Sequence, residues 1–323
     1  MIETETKAEA ARDASRTAAD NAFDTAGQEA WTALSTSDRK RELYADDSCF
    51  RTGWEAFVNG ADGGDRTLLR RISTVTFKPD ALVTRSVATG LERLRAAGYR
   101  VLSAHPTRLT PARAQWVWRF QWNRATIDRL RLALYFLDRG PSIVVALAAP
   151  ATTGAEPATA QLARCKGSAD HFAPDSLRGV MGMRNRLLSL VHTPDEPADL
   201  VRDVGAMFDR HDAIGFWRDV ARRCAAGEDG EDEAGQLCAD LADALVRHEL
   251  DPAAVAVRRG LEGLMALAEP VPLATVEQRF GPIASERDAW DFICLAADRI
   301  AHMRSGVAPL LESHASGADR PER

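Results

Sequence analysis

The rhythm of apolar and polar positions changes four times along this chain. Residues 1–34 are Ala, Thr and charged residues with few apolar anchors, which predicts a disordered or loosely helical tail. Residues 35–70 add Leu43, Tyr44, Phe50, Trp54 and Phe57, enough apolar area for a small helical lead-in, and close on "NGADGGD", a linker by its glycines and aspartates. From residue 71 strand-like and helix-like stretches alternate. "ISTVTF" is β-branched and bounded by "KPD", so it predicts a strand ending in a turn. "ALVTRSVATGLERLRAAG" sets Leu82, Val87, Leu91 and Leu94 at near-helical spacing with Gly98 as C-cap, and "YRVLSAHPT" predicts a second strand. "PARAQWVWRF" and "ATIDRLRLALYFLDRG" read as helices, and "PSIVVALAA" as a buried strand. "EPATAQLAR" reads as a helix, "CKGSADHFAPDSLRG" as a long polar loop, "RLLSLVH" as a fourth strand and "EPADLVRDVGAMF" as a closing helix.

The order β-α-β-α-α-β-α-loop-β-α is an elaborated ferredoxin-like arrangement, so residues 71–209 are expected to form an α+β domain, one antiparallel sheet with helices on one face. From residue 210 to 311 every periodic stretch is helical, which predicts an all-α C-terminal extension. Its helices are separated by "AGEDGEDEAG" and "PVPLATVEQRFGP", and residues 312–323 read as a disordered tail.

Composition narrows the partners. The 41 basic and 47 acidic residues leave a net charge of -6, so no global field draws the chain to nucleic acid or an anionic membrane. An anionic ligand must therefore be met by a local site. Lysine occurs only at Lys7, Lys40, Lys78 and Lys166, and all other basic residues are arginine. Each lysine is informative, because it marks either a place that wants a compact point charge or one where nothing selects. The five cysteines are scattered and odd in number, which points to reduced thiols and away from a metal site. With a polar N-terminus and no long apolar run, the expected location is the cytoplasm.

Candidate chemistry gathers late in the α+β stretch. Lys78 leaves the first strand on backbone stiffened by Pro79, which suits either a phosphate contact or a solvated turn. Arg164, Lys166, Arg178, Arg184 and Arg186 then precede His192, a grouping that fits a polyphosphate site or an arginine-rich solvated loop. His192 ends an apolar strand, and Asp203 follows eleven residues later on the next helix. If that helix runs back past the strand end, the carboxylate can fix the imidazole tautomer and free the other nitrogen as a nucleophile; a structural histidine is the other reading.

"TVTFKPD", "DRGPSIVVAL", "APDSLRG" and "SLVHTPDEPADLVRDVGAMF", in this order and spacing, resemble motifs of the nucleoside diphosphate kinase family over about residues 71–209. The resemblance implies that family's ferredoxin-like fold and its ping-pong phosphotransfer. A nucleoside triphosphate such as ATP, with Mg²⁺ carried by the nucleotide rather than by a protein metal site, would phosphorylate His192, and an acceptor would then take the group. Asp203 would stand where the family has an orienting glutamate, and Lys78 and Arg178 would hold phosphates. Arg164 is the nearest substitute for a second phosphate-binding arginine whose place falls near Gln161, Lys166 is a further source of charge for that loss, and Arg184 lies in the same basic stretch. Ser189 and Thr193-Pro194 depart from the family's residues around the histidine, and Phe120, Trp122 and Tyr135 do not match the spacing of its base clamp. The partners implied are therefore a nucleotide and a small-molecule acceptor of altered identity, and the family's habit of assembly admits a homo-oligomer. The alternatives are a nucleotide-binding regulatory protein without catalysis, or an enzyme using the same phosphate pocket for nucleotidyl transfer.

Overall fold

The computed structural model describes residues 27–61, 63–150, 156–169 and 173–311, so the tails expected at 1–26 and 312–323 lie outside the described residues. Four helices lead in: α1 (Gly27–Leu34), α2 (Asp38–Ala45), α3 (Ser48–Gly60) and α4 (Arg66–Arg71). Ser37 and Asp47 cap α2 and α3 by accepting hydrogen bonds from the Lys40 and Phe50 amides. After β1 (Ile72–Phe77) come α5 (Pro79–Val83) and α6 (Val87–Ala96), then β2 (Arg100–Thr107). α7 (Pro111–Val117) and α8 (Ile127–Leu137) precede β3 (Ser142–Ala148), and α9 (Ala158–Lys166) and the short α10 (Leu177–Val180) precede β4 (Val191–His192). α11 (Pro197–Met207) and α12 (Arg210–Ala226) follow. The remainder is helical: α13 (Glu231–Asp243), α14 (Pro252–Arg259), α15 (Glu262–Met265), α16 (Leu273–Phe280) and α17 (Glu286–Arg299).

The four strands form one antiparallel sheet in the order β2-β3-β1-β4, the ferredoxin-like α+β arrangement that the sequence predicts. The expectation of helices on one face only is corrected. Side chains alternate across a strand, and here both sets are apolar. Ile72, Val144 and Ala146 join one core with α3, α8, α11 and α17. Val75, Phe77, Ile143 and Val145 join a second core with α5, α6, α9 and α13.

Three local expectations also change. The helix read across residues 81–98 is two helices, because Arg85 takes a left-handed conformation (φ +59°) and donates side-chain hydrogen bonds to the Leu82 and Leu245 carbonyls. The fourth strand shrinks to Val191–His192, since the backbone of 187–190 is bonded to Lys78 and Asp80 instead of to a neighbouring strand. The stretch "PLATVEQRFG", read as part of a separator, contains α16, which buries Leu273 and Val276. No described helix is long and apolar enough to cross a membrane.

The helix contact that matters most for the site is α3 against α11. It is a close crossing built on two glycines: a Cβ at Gly53 would run into the Val201 carbonyl oxygen, and one at Gly205 into the Cys49 carbonyl oxygen. Mid-helix glycine normally costs about 1 kcal/mol relative to alanine, so its presence in both partners is explained by the backbone approach. Gly53→Ala and Gly205→Ala are expected to destabilise by about 1–3 kcal/mol despite alanine's better helix propensity. Gly235→Ala, on α13 with no atom near its would-be Cβ, should instead hold or raise stability. Thermal unfolding midpoints of the three variants check this contrast.

Candidate active site

Lys78 sits at the end of β1 and begins α5, with Pro79 in the first helical position. It is almost fully buried. Its Nζ donates to the Leu187 carbonyl (3.1 Å) and Ser189 Oγ (3.0 Å), lies 3.5 Å from Asp80 Oδ2, and stands 5.1 Å from the centre of the Phe136 ring. Asp80 Oδ2 accepts the Leu190 amide at 2.8 Å, and the Lys78 amide donates to the Leu190 carbonyl at 2.9 Å. These bonds hold Leu190 at φ +63°, a conformation that a leucine adopts only when its surroundings fix it. The turn delivers Val191 and His192 to the edge of β1, where His192 pairs with Thr76.

The His192 ring is half-buried, with Nε2 2.6 Å from Asp203 Oδ2 and the Trp118 ring edge-on to it at 5.5 Å. α11 does run back past the strand end and brings Asp203 to the ring. In the neutral imidazole this contact puts the proton on Nε2, which donates to the carboxylate, and leaves the Nδ1 lone pair available. Nδ1 has no hydrogen-bond partner among the described residues.

A cavity of about 220 Å³ opens beside this ring, and Lys78, Lys166, Arg178, His192 and Asp203 all line it. Arg178 donates to the Gly167 carbonyl (2.9 Å) and the Val191 carbonyl (3.4 Å), while its buried Nε has no hydrogen-bond partner among the described residues. Burial pushes its pKa down to about 10, against the pull of Asp195 and Asp80. Lys166 contacts Asp195 at 3.3 Å, and burial lowers its pKa below the usual lysine range. Arg164 and Arg184 do not line the cavity. Arg164 lies two residues before Lys166, on the outer side of α9, exposed and ion-paired with Glu156; Arg184 is exposed on the loop.

Other lining residues come from places the sequence did not mark as chemistry. Lys40 and Tyr44, one turn apart on α2, meet the start of α11: Lys40 Nζ is 2.7 Å from Asp199 and 2.8 Å from Glu196, and the Tyr44 hydroxyl donates to Asp199 at 2.7 Å. Burial draws the Lys40 pKa down, but Asp199 and Glu196 more than offset it and hold the ammonium above its usual range. Glu196 also accepts from the Ser35 and Thr36 hydroxyls and the Thr36 amide. Trp118 and Trp122 stack with centroids 5.4 Å apart and line the cavity, whereas Phe120 is buried against Arg202 and Tyr44, and Tyr135 faces another groove. One signal could have found Lys40. Among the described residues the lysines are Lys40, Lys78 and Lys166, and all three are buried at this cavity.

A second buried His–Asp pair is structural. His248 Nε2 is 2.8 Å from Asp291, but its Nδ1 accepts the Leu250 amide at 2.9 Å, so neither nitrogen is left for chemistry. Among the described residues no group of three or more His, Cys, Asp or Glu is arranged to hold a metal ion.

Two predictions follow the buried charges. Lys40→Met would leave Glu196 and Asp199 as buried carboxylates without their cation, a loss of about 3–5 kcal/mol readable in urea unfolding. His248 has its pKa lowered by burial, so protons favour the unfolded chain. Its stabilisation is complete above the free-histidine value near 6.5 and is lost as pH falls below it. Urea midpoints from pH 8 to pH 5 should fall on acidification, and less steeply in His248→Gln; equal slopes would refute this assignment.

No family model matches the chain. Among solved structures, it is similar to a nucleoside diphosphate kinase of Aquifex aeolicus, with 20% sequence identity and a TM-score of 0.35. That likeness covers 43% of this chain and 95% of the kinase chain.

Proposed function

We propose that this protein is a phosphotransferase of nucleoside diphosphate kinase type that works through a phosphohistidine at His192. The observation that carries the reading is the Asp203–His192 contact at 2.6 Å beside a cavity lined by buried cations. The four motifs in family order support it from the sequence side. Asp203 keeps the Nε2 proton in place, so Nδ1 meets the γ-phosphorus with its lone pair. The Nδ1–P bond forms as the bond from phosphorus to the bridging oxygen breaks, and the diphosphate leaves with that electron pair. Asp203 then faces a ring that carries positive charge and stabilises it. In the second half an ionised oxygen of the acceptor attacks phosphorus while the N–P bond breaks and its electrons return to Nδ1, which restores the neutral ring with its proton still on Nε2.

Mg²⁺ bound to the phosphates would neutralise developing charge there. The carboxylates of the cavity fit a nucleotide-borne ion better than a protein-held one, because Asp195, Asp199 and Asp203 are already engaged by Lys166, Lys40 and His192. A cavity of this volume takes the phosphate end of a nucleotide and leaves the base at its mouth, beside Trp118 and Trp122.

One observation favours a second reading, a nucleotide-binding protein that transfers nothing. Lys78 has its ammonium protons committed to Leu187, Ser189 and Asp80, so it can supply charge but has little left to grip a phosphate directly. One experiment separates the two. Incubation with γ-labelled ATP and Mg²⁺ should give an acid-labile, base-stable label that His192→Asn abolishes, Asp203→Asn slows by at least about 10²-fold and Lys166→Gln weakens. Nucleotide binding without label would establish the second reading. Transfer from α-labelled nucleotide to a small molecule would replace both with nucleotidyl transfer.

A further inference from the structure

Arg129 stands out among the cations of this cavity. Lys40, Lys78, Lys166 and Arg202 each have a carboxylate within 3.5 Å: Asp199, Asp80, Asp195 and Asp47. Arg178 has no such ion pair either but donates to the Gly167 and Val191 carbonyls, whereas Arg129 lines the cavity with neither a carboxylate nor a carbonyl on its guanidinium among the described residues. Its Nη1 reaches only the Met303 sulfur, at 3.1 Å, and its buried Nε has no hydrogen-bond partner among the described residues. Burial, with repulsion from Arg186 and Arg124, pushes its pKa down to about 10. Arg186 lines the same cavity.

Position adds to the cost. Arg129 lies in the first turn of α8, whose start is capped by Thr126, so the guanidinium sits near the positive end of the helix dipole. A half-buried guanidinium without an acid, beside other guanidiniums and a helix N-terminus, is unfavourable until an anion enters. α8 presents Arg129, Ala133 and Phe136 to the cavity, and Phe136 carries Lys78 on its ring. Seven residues of helix set Arg129 about 10 Å from Phe136 along the axis. Arg178 and Arg129 both lie close enough to the Lys78 ammonium to repel it, and all three line this cavity.

We propose that Arg129 anchors a second anion subsite, and that the cavity's ligand is a condensed phosphate chain long enough to run from Arg178 past Lys78 to Arg129. The inference rests on reading this cavity as a phosphate site, and not on transfer to His192. A group held at Arg129 meets a guanidinium charge and the α8 dipole together. Orthophosphate, by contrast, fills only one end.

Calorimetric titration with orthophosphate, pyrophosphate and tripolyphosphate, without Mg²⁺, tests it. For the intact chain, affinity should climb with chain length. Arg129→Gln should bind tripolyphosphate about tenfold more weakly while keeping orthophosphate affinity, which also reports that the variant is folded. Arg178→Gln should weaken all three. The subsite is overturned if Arg129→Gln binds tripolyphosphate as the intact chain does, if it loses all three anions alike, or if the intact chain gains nothing from chain length. Labelling of His192 together with unaltered tripolyphosphate binding in Arg129→Gln would remove the subsite alone. Arg129-dependent tripolyphosphate binding without label would remove only the transfer reading.

Discussion

The candidate site depends on where α11 is held, because that helix carries Asp203 to His192. Four buried ionisable groups on α11 and its cap face outward along two turns: Glu196, Asp199, Arg202 and Asp203. They are met by three other parts of the chain. Lys40 and Tyr44 meet the first two, Asp47 pairs with Arg202 at 3.2 Å, and His192 meets Asp203. Arg202 also donates to the Val117 and Trp116 carbonyls and lies against the Tyr44 and Phe120 rings, which adds hydrogen-bond and ring contacts to its ion pair. Buried charges tolerate few arrangements, since an unpaired one is costly, and this set fixes the helix in translation and rotation more tightly than apolar packing alone. The glycine crossing with α3 adds the steric part of the same constraint.

The "KPD" turn does corresponding work on the histidine side. Its lysine and aspartate bind the backbone of residues 187–190, turning a stretch that reads as strand into an irregular loop with a left-handed leucine. The ladder hydrogen bonds lost there are replaced by charge-assisted ones, which are stronger. In consequence the strand is cut to the two residues that set His192 on the edge of β1, and the Lys78 charge is placed on the cavity lining.

The lead-in helices are therefore part of the site. Their contribution was hidden because Lys40 and Tyr44 read, in sequence, as one polar and one apolar position of a short amphipathic helix. They meet Glu196 and Asp199 only across about 155 residues of chain. Arg129 was hidden in the same way, as an ordinary polar position in the first turn of a helix. Arg164 shows the reverse error. It belongs to the right basic stretch, but the helical period turns it outward while Lys166 turns in.

Local pattern determined a good deal of this protein. β-branched and apolar runs bounded by turn residues gave three of the strands, helical spacing gave most helices, and their order implied the antiparallel ferredoxin-like sheet. The histidine and its carboxylate could also be named, since one ends a strand and the other lies on the helix that follows it. What the tertiary structure alone decided is the electrostatics: which cations are buried, which carboxylate or carbonyl each one meets, and that the Arg129 guanidinium meets neither among the described residues. Those depend on through-space distances of a few ångströms between segments far apart in sequence, and Coulomb energies in a partly dry interior change steeply over such distances.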